Sequence, residues 1–113
     1  MIKIFHNPRC SKSREGLQIL ENSNLEFEII KYLETPATIV ELTKIIKLLD
    51  ISPIRLVRKG ESIWKEKFKG KTLSDNQIIE AMAQYPKLIE RPIVIKNNKA
   101  VIGRPPSIIK TIL

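Results

Sequence analysis

One histidine and one cysteine stand close together near the start of the chain, in His6-Asn7-Pro8-Arg9-Cys10. With no second cysteine, an intramolecular disulfide is impossible, and a multi-cysteine metal site is excluded with it. A lone thiol is either a small buried hydrophobe or a nucleophile. The flanks of Cys10 favour the second reading, because Arg9, Ser11, Lys12, Ser13 and Arg14 surround it with positive charge and hydroxyls instead of apolar side chains. The thiolate is the reactive form, and such neighbours favour it. Any redox cycle through Cys10 must then recruit a second thiol from outside the chain. His6 reads two ways, as a turn residue bonded to backbone or as a group that orients the loop and supports the thiolate.

Ionising the thiol takes more than one helper. At a pKa of about 8.5 only about 3% of a thiol is ionised at pH 7, and lowering the pKa to about 6.5 needs about 2.7 kcal/mol. A helix N-terminus supplies about 0.3–1 kcal/mol, and at best about 2. Additional donors or cations are required, and the Ser13 hydroxyl, three residues on, is one expected to reach back to the sulfur. The six arginines are scarcer than the fourteen lysines, and Arg91 and Arg104 each precede a proline. A guanidinium grips a tetrahedral oxyanion through two parallel hydrogen bonds, which an ammonium cannot do. An oxyanion substrate is therefore expected between arginines and the start of a helix.

The elements that position these groups follow from periodicity. Ile2–Phe5 alternates as a strand, and Pro8 stops it. A helix is expected over about Ser11 to Asn22, capped by Ser11 or Ser13, and a second strand over Phe27 to Ile30. This is a βαβ unit. Thr38-Ile39-Val40-Glu41 and Ser74-Asp75-Asn76-Gln77 match the capping-box pattern, and each opens a helix. Ser52-Pro53 begins a short helix between them. Ile93–Ile95 and Ala100–Ile102 read as strands around an Asn97-Asn98 hairpin turn, and Pro105-Pro106-Ser107 starts a last helix. The order βαβ, helices, ββα fits an α/β fold: one mixed sheet with helices on both faces, on the thioredoxin-like plan. A single domain over 1–113 is expected, with the core at about 1–34 and 87–113 and a helical insertion at about 35–86.

Composition narrows the function. The net charge of +8 admits nucleic acid, an acidic surface or an anionic substrate as partner. Aromatic residues are only 5%, too few for a base-stacking platform, and the basic run Lys65–Lys71 reads as a solvated loop, so no nucleic-acid role is expected. No apolar run approaches the roughly 18 residues of a membrane span, and no signal-peptide pattern follows the start, so a cytoplasmic protein without membrane association is expected.

The stretch His6-Asn7-Pro8-Arg9-Cys10-Ser11-Lys12-Ser13-Arg14 resembles the active-site loop of the glutaredoxin-dependent arsenate reductase family. Tyr32-Leu33-Glu34-Thr35-Pro36, Leu56-Val57-Arg58-Lys59, Glu90-Arg91-Pro92-Ile93-Val94 and Gly103-Arg104-Pro105-Pro106 are similar to further family segments, in family order. The charged loop around Cys10 is most similar to a less characterised branch. The resemblance implies a thioredoxin-like fold with a helical insertion, and Cys10 as the nucleophile. It implies His6 and Ser13 as supports of the thiolate, Arg58, Arg91 and Arg104 as oxyanion ligands, and Pro92 as a cis-proline beside the site. It further implies arsenate or a similar oxyanion as substrate, glutathione as co-substrate, glutaredoxin as partner, and neither a bound cofactor nor a metal. Two other readings accompany it. One is a related thiol enzyme acting on another oxyanion or on a glutathione mixed disulfide. The other is a redox-type transcription regulator that binds RNA polymerase, although Cys10-Ser11-Lys12-Ser13 lacks the second cysteine of an internal switch.

Overall fold

The computed structural model describes residues 1–113, which divide into two compact units, Met1–Thr35 with Arg91–Leu113, and Pro36–Glu90. In the first unit the strands β1 (Ile2–Phe5), β2 (Phe27–Ile30), β3 (Ile93–Lys96) and β4 (Lys99–Ile102) form one sheet in the order β2-β1-β3-β4. β1 and β2 are parallel, joined through helix α1 (Ser11–Asn22), and the other pairs are antiparallel. This is the mixed α/β sheet of the thioredoxin-like plan. Asn97 takes the left-handed φ of 56° that lets two residues close the β3–β4 hairpin.

Alternation along the strands decides what they bury. Ile2 and Ile4 of β1 and Val94 of β3 pack with Leu20 of α1 and Ile109 as one buried cluster, and Leu17, Ile19, Ile112 and Leu113 close around it. Both helices of this unit therefore cover the same face of the sheet. The last helix, Pro106–Ile112, is a 3-10 helix. Three residues per turn line up Pro106, Ile109 and Ile112 on one row, which suits a short segment with one apolar stripe.

The second unit is helical. It comprises α2 (Ile39–Leu49), a 3-10 turn at Pro53–Leu56, α3 (Ser62–Lys67), α4 (Asp75–Gln84) and a 3-10 turn at Pro86–Leu88. Both capping boxes form, Thr38 with Glu41 and Ser74 with Gln77. Leu42, Ile45 and Ile46 of α2 and Ile78, Ile79, Ala81 and Met82 of α4 are buried. Helix α3 corrects the reading of the Lys65–Lys71 run as a loop. Lys65, Glu66 and Lys67 form the solvated side of its last turn, while Trp64 is buried and stacks on Phe68 at 5.4 Å. The charges masked an apolar pair at helical spacing.

Candidate active site

Sheet register assembles the site. Phe5, the last residue of β1, stands opposite Ile30 of β2 and Ile93 of β3, and Ile93 stands opposite Ile102 of β4. The residues just beyond these four positions therefore share one end of the sheet: His6 after β1, Lys31 after β2, Arg91-Pro92 before β3 and Gly103-Arg104 after β4. The Arg91–Pro92 and Arg104–Pro105 bonds are both cis.

The loop after β1 is tied at every turn. Asn7 Oδ1 accepts the Arg9 N–H at 3.0 Å, and the Asn7 carbonyl accepts the Cys10 N–H at 3.0 Å. The Arg14 guanidinium donates to the Pro8 carbonyl at 3.0 Å, bracing the loop from the first turn of α1. Beneath it lies a buried polar cluster. Ser13 Oγ accepts the Asn7 N–H at 2.9 Å and lies 2.7 Å from His6 Nδ1. Burial pushes the His6 imidazole below its ordinary 6.5, partly offset by its contact with Ser13, with Lys31 and Arg14 lowering it further. A neutral imidazole lets the Ser13 hydroxyl donate to Nδ1 while accepting from the Asn7 N–H, so that the buried hydroxyl is bonded both as donor and as acceptor.

Two sequence expectations are corrected here. Neither Ser11 nor Ser13 caps α1: Cys10 itself occupies the cap position with extended backbone (φ −98°, ψ 125°), and its carbonyl accepts the Arg14 N–H. Nor is the Ser13 hydroxyl aimed at the sulfur, because Asn7 and His6 engage it. The main-chain amides of Ser13 and Lys12 serve the thiol instead, as free donors at a helix N-terminus.

Cys10 is a free, half-buried thiol. Burial raises its pKa, but the Ser13 amide, the hydrogen bond and charge of Arg91 and the Lys12 amide outweigh that and lower it from 9.0 to about 7. Arg104 adds a long contact, its Nη1 4.0 Å from Sγ, and donates from the same nitrogen to the Arg91 carbonyl at 3.2 Å. No acidic residue occupies the first turn of α1. The arrangement is a thiol of lowered pKa flanked by two guanidinium groups.

Of the residues singled out from sequence, His6, Cys10, Ser13, Arg91, Pro92 and Arg104 belong to this one end of the first unit. Arg58 belongs to the helical unit, where it lies 3.6 Å from both Glu61 and Glu90 and its N–H donates to the Leu88 carbonyl. Sequence reasoning gave no role to the side chains of Asn7 and Lys31. Asn-Pro is a turn-initiating pair, which was the available signal for Asn7; Lys31 is placed only by strand pairing.

A four-stranded mixed sheet with a single low-pKa thiol at the start of its first helix defines a thioredoxin-like α/β protein. Residues 5–112 match the ArsC family, and the chain belongs to that family. An uncharacterised protein of Escherichia coli (strain K12), YfgD, is 49% identical over 93% of this chain and 90% of its own length. The arsenate reductase of Neisseria meningitidis (strain Z2491) is 42% identical over 99% of this chain and 97% of its own. The solved structure of arsenate reductase from Vibrio cholerae superimposes with a TM-score of 0.94 at 46% identity, over 99% of this chain and 97% of that one.

Proposed function

We propose that this chain is a glutathione- and glutaredoxin-dependent arsenate reductase of the cytoplasm, with Cys10 as nucleophile. The observation that carries the reading is a thiol with a pKa near 7 that has Arg91 and Arg104 as neighbours. The Cys10 thiolate attacks arsenic, a sulfur–arsenic bond forms, and one arsenic–oxygen bond breaks with loss of water. Arg91 and Arg104 stabilise charge on the remaining oxygens. The glutathione thiol then forms a second sulfur–arsenic bond on this adduct as a second arsenic–oxygen bond breaks, and its proton leaves with that oxygen as water. A glutaredoxin thiol takes the glutathionyl sulfur as a mixed disulfide, leaving two electrons on arsenic, and water releases arsenite and restores Cys10. Arsenate and two external thiols thus become arsenite, one disulfide and water, and the lone cysteine needs no internal partner.

The test couples arsenate, glutathione, glutaredoxin and glutathione reductase to NADPH oxidation. Arsenate-dependent consumption is expected, with loss of at least about a thousandfold in Cys10→Ser, since removal of an activated nucleophile typically costs that much or more. An active Cys10→Ser variant would remove Cys10 from the mechanism, and an inert wild-type enzyme would remove arsenate as substrate.

A further inference from the structure

An open cleft of about 300 Å³ lies against the turn that ends in Cys10, lined by His6, Asn7, Pro8, Arg9, Lys31, Leu33 and Glu34. Its size is at the lower end of the roughly 300–1,000 Å³ of small-molecule sites. All seven residues belong to the first unit, and sheet pairing explains their meeting: the His6 N–H donates to the Ile30 carbonyl at 2.9 Å, which sets the loop after β1 beside the turn after β2.

Three charged side chains surround this cleft, Arg9, Lys31 and Glu34, and none of them is in an ion pair. Charged groups that line a concavity without neutralising one another are available to a ligand. Pro8 and Leu33 supply apolar wall, and Leu33 is 38% exposed. The cleft therefore suits a small molecule with two anionic groups, one cationic group and a short apolar body. The groups that act on the sulfur, namely Arg91, Arg104 and the amides of Lys12 and Ser13, are not part of its lining. An oxyanion at Cys10 and a ligand in the cleft would not compete for the same side chains.

We infer that this cleft is the docking site of the external thiol that reduces the Cys10 adduct, and that it takes a zwitterionic peptide thiol with two carboxylates and one ammonium. The inference rests on the proposed reaction, which demands an outside thiol because the chain holds no second one. Arg9 and Lys31 receive the carboxylates, Glu34 receives the ammonium, and the thiol is brought to the turn that carries Cys10.

The probe is S-methylglutathione, which keeps all three charges and cannot react. Titrated into the ¹⁵N-labelled protein, it is expected to shift the amides of Asn7, Arg9 and Lys31 through Glu34 saturably, and more weakly as salt rises. Reversing one exposed charge, in Lys31→Glu, should weaken binding by about fivefold. Lys99→Glu, the same charge change at the opposite end of the sheet, should leave binding as it is. The diester of the probe, with both carboxylates blocked, should bind the wild-type protein more weakly. No saturation, shifts confined to the β3–β4 hairpin, or equal affinity in Lys31→Glu would overturn the inference. The same samples enter the arsenate assay. Cleft binding without arsenate turnover would sink the proposed reaction alone, and glutathione-driven turnover without cleft binding would sink the docking site alone.

Discussion

A thiol that ionises near pH 7 is a compromise between opposing effects at one atom. Burial of Cys10 disfavours the anion, while the Ser13 and Lys12 amides and Arg91 favour it and prevail. The rate of alkylation by iodoacetamide should therefore rise with pH through a midpoint of about 7. In Arg91→Ala the midpoint should move up toward the ordinary thiol range of about 8.5. Arg91→Lys keeps the charge and loses the two-pronged grip, so it should hold the midpoint better than alanine while raising KM or lowering kcat for the oxyanion. Unchanged kinetics in that variant would show that Arg91 is not a substrate ligand. Ser13 acts through its neighbours: its hydroxyl serves the Asn7 N–H and His6 Nδ1, and all three residues are buried. Ser13→Ala should cost about 1–3 kcal/mol in urea denaturation, the usual penalty for stranding buried polar groups.

At the scale of elements, the site depends on how closely α1 approaches the start of β3. A methyl group at Gly16 of α1 would lie 2.9 Å from both Pro92 Cγ and Ile109 Cδ1, and one at Gly103 would meet the same two atoms at 2.9 Å. Two glycines thus clasp Pro92 and Ile109, from the helix on one hand and the end of β4 on the other. The Ile109 tip can rotate aside, but the proline ring cannot. Gly16→Ala should be destabilising on balance, because overpacking costs about 1–3 kcal/mol against about 1 kcal/mol of gained helix propensity. A urea midpoint at or above that of the wild type would refute the clasp. In the helical unit, Ser74→Ala removes the hydroxyl that accepts the Gln77 N–H and should cost about 1 kcal/mol.

For the whole molecule, the two perturbed groups give stability two pH limbs. The unfolded chain keeps its thiol proton up to about pH 9 and the folded chain releases it from about pH 7. Between these values the unfolded state binds more protons, so stability rises with pH and is lost as pH falls through 7. His6 in the unfolded chain takes up a proton below about 6.5, and in the folded chain only at lower pH, so in this window too stability falls as pH drops. Cys10→Ser should flatten the upper limb and His6→Gln the lower one, read from urea midpoints across the pH range. No helix of the protein is long and apolar enough to cross a membrane.

Local chemistry was legible from sequence alone. The alternation in Ile2–Phe5, the two capping boxes and the Asn97 turn depend on neighbours within a few residues, and each element formed at or near its expected bounds. Cys10 could likewise be singled out by its polar flanks. Tertiary structure alone decided which residues meet: Arg91 and Arg104 come to Cys10 across more than eighty residues because antiparallel pairing brings the start of β3 and the end of β4 to the end of β1. The choice of amide over hydroxyl at the sulfur, and the unpaired charges around the cleft, were settled there too. Periodicity encodes the face that a residue occupies, whereas a distance between remote side chains exists only after the sheet has set its register.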